Sequence, residues 1–397
     1  MPFRAQAHLA ALPAYQRERL LADTITLGFH PTTRDVFLVS TLDRYSSMYL
    51  LGLPGMGKSS LLVNTIFADA LNEHAVIVID PHGDVVRDCV AQLPDYVQDR
   101  IFILDMEDES HPFGLNVFNV RGLHTAVAYA QAVDRVCHVF HVLWPDVLGQ
   151  AHMPIFLRAA TILLFANPGA TLVDMQRLLE DEDFRYQLLR NVSDQSVLQF
   201  WAAFDELSDS ARRQQVAPLV NRLRSIFMGR PLVRNILGQS ESTVDFKQAI
   251  ERKEIILIRL PLKLLAQDAR LIGTLLIAKL HTTLFEFGNV PEAQRPGFTL
   301  VVDEFQNFAT PDFAEVISEG RKFKIRAVLA HQQRSQLPAY LRDATMMART
   351  KVCFQLTPED AREMAHVFPP SPDAIVRPED LDPHPVEYLL KYPFHHE

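Results

Sequence analysis

Short runs of consecutive apolar residues alternate along this chain with stretches in which apolar positions recur every three or four residues. The first run, 48–51, stops at Gly52 and is followed by helical spacing over 58–70. A second, 75–79, closes on Asp80-Pro81, and a third covers 100–104. Runs that are apolar at every position fit strands buried on both faces, and helices between them predict a mostly parallel sheet. From 122 to 249 the pattern becomes helical almost throughout, over 155–165, 172–179, 184–189, 198–207 and 216–227, the last containing Pro218. Strand-like runs return at 254–259, 298–302, 325–329 and 352–356, with a helix over 268–287 after the first of them. Residues 1–45 are mixed in polarity and read as a short helix near 13–22 and a strand over 24–28; a last edge strand is expected at 386–390. The organisation expected is an N-terminal extension (1–45), an α/β domain from 46–121 and 250–397, and an all-helical domain (122–249) inserted into it.

Composition narrows the partners. The formal charge of −9 excludes a bulk polycation, so nucleic acid would have to meet a local basic surface. Six arginines and no acid lie between Arg212 and Arg234. This cluster reads either as phosphate contact or as a solvated helix face balanced by the acidic run 180–183. A second basic group spans 321–326. Basic stripes interleaved with aromatics are absent, so DNA contact is expected at the backbone, independent of sequence. The three cysteines are too scattered for a disulfide framework, and Cys137-His138-x-x-His141 lacks a fourth metal ligand. This cysteine usage fits a reducing cytoplasm. The start has no signal-peptide pattern and no run reaches the ~18 apolar residues of a membrane span. The expectation is a cytoplasmic protein that reaches the inner membrane only through a partner.

The chemistry begins at the end of the first strand. Gly52-Leu53-Pro54-Gly55-Met56-Gly57-Lys58-Ser59 matches G-x-x-x-x-G-K-[ST], between a predicted strand and a predicted helix. Glycines let the backbone wrap closely so that its N–H groups point at phosphate oxygens, and the helix N-terminus adds its dipole. Lys58 is placed to reach the β- and γ-phosphates of ATP and Ser59 to ligate Mg2+, with Ser60 next in the same turn. The complementary half is the apolar strand 298–302 ending in Asp303-Glu304. There Asp303 is expected to hold Mg2+, and Glu304 to orient the attacking water. Two acids favour an ATPase with its own catalytic carboxylate over a GTPase switch. A third strand, 325–329, runs on to His331-Gln332-Gln333, where Gln332 or Gln333 is a candidate γ-phosphate sensor; the alternative is a polar strand terminus.

These motifs, in this order, resemble those of the FtsK/HerA-type P-loop translocases, and within them the TraG/TraD-like coupling-protein ATPases of type IV secretion. The resemblance rests on 52–59, Asp80-Pro-His-Gly-Asp84, Asn116, Asp303-Glu-Phe-Gln-Asn307, Glu319-Gly-Arg321-Lys-Phe-Lys and His331-Gln-Gln-Arg-Ser-Gln-Leu337, and covers about 45–360. It implies a RecA-like P-loop NTPase with a helical insertion at this place, a homohexameric ring with ATP between subunits, and DNA in the channel. It also implies Arg321 as a finger reaching the neighbouring subunit's γ-phosphate and Gln332 as the sensor. Arginine suits the finger role, being always charged and rich in donors. The departures are the missing membrane helices and a start too short for a β-barrel, which leave a minimal or a shortened motor. Expected partners are DNA and a secretion channel or relaxosome. The alternatives are a protein-translocating secretion ATPase, a HerA-like motor partnering a nuclease in DNA repair or phage defence, and a non-catalytic adaptor, which the intact Glu304 argues against.

Overall fold

An antiparallel hairpin, β1 (Thr24–Phe29) and β2 (Val36–Ser40), precedes the main sheet and rests Ile25 in the core that covers the first sheet helix. The computed structural model describes residues 24–29, 36–119, 125–288, 290–308, 310, 313–314, 317–318 and 320–368. The expected helix near 13–22, the expected strand at 386–390 and Glu319 lie outside the described residues.

The sheet strands are β3 (Met48–Leu51), β4 (Ala75–Asp80), β5 (Ile101–Asp105), β6 (Ile255–Arg259), β7 (Phe298–Val302), β8 (Ile325–His331) and β9 (Thr350–Cys353). They form a seven-stranded sheet in the order β5-β6-β4-β7-β8-β3-β9. The pairs β4·β7, β7·β8, β8·β3 and β3·β9 are parallel. Every residue of β3, β4, β7 and β8 is buried, as expected of central strands covered on both faces. The fold is therefore the α/β P-loop class read from the motifs. One strand is shifted from its expected position. The last lies at Thr350–Cys353 rather than 352–356, because its ladder to β3 pairs Met48 with Thr350 and Leu51 with Cys353. The polar pair Thr350-Lys351 hides that start, and Phe354-Gln355 instead bonds the backbone around Leu51–Leu53.

Helices α1 (Lys58–Leu71) and α2 (Asp84–Gln92) follow β3 and β4, and their apolar faces, with Leu62, Ile66, Val85 and Cys89, fill one side of the sheet. Contacts divide the chain into two compact units, one of 1–103, 250–258 and 292–397, the other of 104–249 and 259–291. The helical unit thus starts before 122 and takes in α11 (Leu262–Gly288), which the expected boundaries assigned to the ATPase domain.

Within the helical unit run α3 (Ala126–Leu143), α4 (Met153–Phe165), α5 (Leu172–Glu180), α6 (Glu182–Leu189), α7 (Gln195–Asp205), α8 (Asp209–Phe227) and α9 (Pro231–Leu237), with α10 (Phe246–Glu251) at the return to the sheet. Phe156, Phe200, Trp201 and Phe204 pack edge to face at its centre. Pro218 does not end α8, whose buried stripe Val216, Leu219, Val220 and Leu223 holds the helix through it. Cys137 is buried against Thr161 in the core of the helical unit, and burial pushes its thiol up to about 11. Asn116, one of the family-like positions, has a wholly internal role: its amide donates to the carbonyls of Ala170 and Ser240, both at 2.9 Å. In the arginine cluster, Arg212 pairs with Glu182 and Asp209, Arg224 with Glu180, and Arg230 with Asp268. The acidic run 180–183 therefore balances part of that cluster. Among the described residues α11 is long and apolar enough to cross a membrane by length and composition, and 88% of its most apolar window is buried in the protein.

Candidate nucleotide site

Parallel strands point their carboxyl ends the same way, and the register here brings four motif ends to one edge. Leu51 faces His331, Val302 faces Leu329, and Ile79 faces Val302. Gly52, Asp80, Asp303 and Gln332 each follow directly on those ends. The sheet order matters as well: β8 lies between β3 and β7, so Gln332 emerges between the phosphate loop and the acidic pair.

The loop over 52–57 is shaped by its glycines. Gly55 and Gly57 take φ of 77° and 100°, a region that penalises any Cβ. Gly52 is needed for a different reason, since a Cβ there would lie 2.6 Å from the Cβ of Phe354. Lys58 is 7% exposed and donates to the carbonyls of Gly52 at 2.6 Å and Leu53 at 3.1 Å. Burial lowers its pKa, while Glu304 and Asp303 pull it back up. Ser59 and Ser60 are exposed at the start of α1, as are Pro54 and Gly55; Leu53 and Met56 are half-buried.

Opposite stand the acids, Asp303 and Glu304, each 5% exposed. The Asp303 amide donates to the Ile79 carbonyl at 3.1 Å, extending the ladder by one residue and fixing the carboxylate at the edge. Burial, then the charges of Glu304 and Asp80, push the Asp303 carboxyl up to about 7. Glu304 adopts φ 45°, ψ 46°, a left-handed conformation unusual outside glycine and asparagine. Its carboxylate accepts from Gln332 Nε2 on one oxygen and Gln306 Nε2 on the other, both at 2.7 Å. Of the two candidate sensors, then, it is Gln332 that touches Glu304.

Neighbouring side chains whose roles the motifs did not reveal complete this edge. Asp80 has a local role: its carboxylate accepts from the amides of His82 and Gly83 at 2.8 Å and Val86 at 2.9 Å, which shapes the turn into α2. Behind Gln332, Tyr49 bonds His331, and Arg334, 1% exposed, donates to Tyr49 at 3.3 Å, Thr345 at 3.1 Å and Glu363 at 2.8 Å. The signal was present in His331-Gln-Gln-Arg334, but a strand-end arginine reads as solvated until its partners on α12 (Ala339–Met346) and α13 (Pro358–Ala365) are known. Arg321 is not brought to this edge. It lies exposed in the 3-10 turn Gly320–Phe323, just before β8 begins. A seven-residue strand spans roughly 20 Å, so Arg321 sits at the opposite end of the sheet from Lys58.

A divalent ion fits this donor set only together with a nucleotide. Among the described residues no three His, Cys, Asp or Glu side chains converge to hold a metal. A serine hydroxyl and one carboxylate are hard oxygen donors of the kind Mg2+ takes when phosphates complete its shell. Burial, then repulsion from Glu304 and Asp80, raises Asp303, and such an ion would offset both.

The fold and this edge define the P-loop NTPase fold of the RecA-like kind. Residues 298–367, which carry Asp303, Glu304, Arg321 and Gln332, match the family model described as the TraM recognition site of TraD and TraG. No curated protein matches the chain closely. Among solved structures, VirB4 of Thermoanaerobacter pseudethanolicus is similar with a TM-score of 0.60 at 14% identity, over 88% of this chain and 89% of that one. The bacterial conjugative coupling protein TrwBdeltaN70 is similar at 0.54 and 16%, over 83% and 74%. The plasmid coupling protein TrwB in complex with ADP and Mg2+ is similar at 0.55 and 15%, over 88% and 80%. The likeness to TraG/TraD-like coupling ATPases read from the motifs thus holds in sequence over 298–367 and in fold over most of the chain.

Proposed function

We propose that this chain is an ATP-driven motor of a type IV secretion system that moves DNA, with ATP hydrolysed between the subunits of a homohexameric ring. The observation that carries the reading is the placement of Lys58, Asp303, Glu304 and Gln332 at one sheet edge, with Arg321 at the other. An arginine so placed has no route to a nucleotide on its own Lys58. It is placed to serve the site of a neighbour in a head-to-tail ring.

ATP supplies the scissile anhydride, and Mg2+ would supply positive charge to offset the negative charge that develops as it is cleaved. Backbone amides of 52–57 and the N-terminus of α1 bind the phosphates. Lys58 exchanges its two carbonyl partners for phosphate oxygens, and Ser59 and Asp303 hold the ion. Glu304 orients and polarises the water, and Gln332 moves from Glu304 to the γ-phosphate. Arg321 of the next subunit completes charge compensation, a contribution worth ~10³ or more in rate. DNA contact is assigned to backbone phosphates. Residues 298–367 are the segment proposed to meet a relaxosome partner, and the cytoplasm is the proposed site of action.

The test is ATP turnover with and without DNA for wild type, Lys58→Ala, Arg321→Ala and an equimolar mixture of the two variants. Stimulation by DNA of any sequence is expected, with each variant inactive and the mixture partly active, because mixed interfaces pair an intact Lys58 with an intact Arg321. An inactive mixture from variants that co-assemble would remove the shared site. Healthy turnover indifferent to DNA would favour a protein-translocating motor.

A further inference from the structure

We infer that Gln306 is a positioning residue for Glu304, the fixed partner of its carboxylate while Gln332 is the exchangeable one; this rests on the ATPase reading above. The two amides approach alike, each giving an Nε2 hydrogen bond of 2.7 Å to a different carboxylate oxygen. Their origins differ. Gln332 comes from the end of β8, 28 residues away, whereas Gln306 lies two residues on in the same turn.

That turn is held from several sides. The Glu304 amide donates to Asp303 Oδ1 at 3.0 Å, and its carbonyl accepts from the Asn307 amide at 3.0 Å and from Asn307 Nδ2 at 2.9 Å. Phe305 is fully buried, stacked on Phe313 and set edge-on to His331. The left-handed backbone of Glu304, unfavourable for a residue with a Cβ, persists because these contacts over-determine it. Its consequence is to fold Gln306 back over the carboxylate rather than out to solvent.

The orientation of the Gln306 amide is set by Glu304. Its Nε2 serves the carboxylate and reaches Gln336 Oε1 at 3.3 Å, while its own Oε1 is buried without a partner among the described residues. A flipped amide would point that oxygen at a carboxylate, oxygen against oxygen, so the unpaired Oε1 is the lesser cost. When Gln332 turns to the γ-phosphate, Oε1 of Glu304 becomes free for the attacking water. Gln306 then keeps Oε2 in place and stops the carboxylate from rotating about its last bond. Loss of one hydrogen bond to a charged group corresponds to about a tenfold fall in rate.

The test is kcat and KM for ATP in wild type, Lys58→Ala, Gln306→Leu and Gln306→His, with Gln306→Leu also placed in a Glu304→Gln background. Nucleotide affinity is measured by titration throughout. Gln306→Leu is expected to lower kcat about tenfold with KM and affinity within about twofold, since the turn itself stays formed. Gln306→His, which retains an N–H donor, is expected to recover part of the rate. In the Glu304→Gln background Gln306→Leu is expected to add no further loss. An unchanged kcat, an equal loss of nucleotide affinity, or full additivity with Glu304→Gln would overturn the inference and leave the ATPase standing. Wild-type turnover no higher than that of Lys58→Ala would instead overturn the ATPase reading and this inference with it.

Discussion

Arg44 and Arg326 are buried to 1% and 2% exposure and share a single carboxylate, Asp69, Arg44 directly and Arg326 through the Thr299 hydroxyl. Burial alone would raise the Asp69 carboxyl, but Arg44 outweighs it and holds the group well below its ordinary range. A carboxylate with a depressed pKa stabilises the fold above its ordinary value of 3.8, and that contribution is lost as pH falls further toward the folded value. Asp69→Asn would strand two buried guanidinium groups, a change that typically costs ~3–5 kcal/mol. A large fall in melting temperature is expected at neutral pH, shrinking toward pH 2; a melting temperature within a degree or so of wild type would show the cluster to be dispensable. None of this was legible in the sequence. An arginine in 41–44 or 321–326 reads as surface charge, and Arg326 was counted there in a basic group.

At the scale of the element, the phosphate loop and the strand β9 are one unit. Phe354 lies against Gly52, and backbone bonds from Phe354 to Leu51 at 2.8 Å and from Leu53 to Gln355 at 2.9 Å tie the loop to that strand's exit. Gly52→Ala should push the loop off Phe354, since the new Cβ meets another Cβ that cannot swing away. The expected result is at least a tenfold loss of nucleotide affinity, about 1.4 kcal/mol or more, with a smaller change in melting temperature. Adding Phe354→Gly, which removes that Cβ, should return part of the affinity. Unchanged binding in Gly52→Ala would mean that the loop is not braced there. The glycine pattern itself was plain in the sequence, whereas its brace, some 300 residues on, depended on β9 pairing beside β3.

Across the whole molecule, each unit buries a histidine that stays neutral. Burial, then Arg334 and Lys58, push His331 down to about 3, and burial followed by Arg135 does the same to His281. Unfolded, each takes a proton near 6.5, so between about 6.5 and 3 the unfolded state binds protons that the folded state refuses. Stability therefore falls as pH falls through this window, by about 1.4 kcal/mol per histidine at pH 5.5. Between pH 7.5 and 5.5 the Asp303 carboxyl, up at about 7, contributes in the opposite sense, so the test is a difference: melting temperature should change less unfavourably on acidification in His281→Asn than in wild type. Identical pH dependence in the variant and wild type would contradict the assignment.

The sequence by itself determined the strand-and-helix alternation, the phosphate loop and the acidic strand end, because each is local. Buried strands need consecutive apolar residues, glycines meet a backbone requirement, and the chemistry demands particular side chains at fixed spacing. It also placed Gln332 within a short polar run, though not which of two glutamines faces Glu304. What only the tertiary structure decided were the relations between distant segments. The strand order put β8 between β3 and β7, so that Gln332 meets Glu304, and set Arg321 at the far end of the same strand. Long-range packing gave α11 to the helical unit, balanced the arginine cluster with the acidic run, and folded Gln306 onto the carboxylate. Such relations depend on which surfaces meet in space, and no periodicity along the chain encodes that.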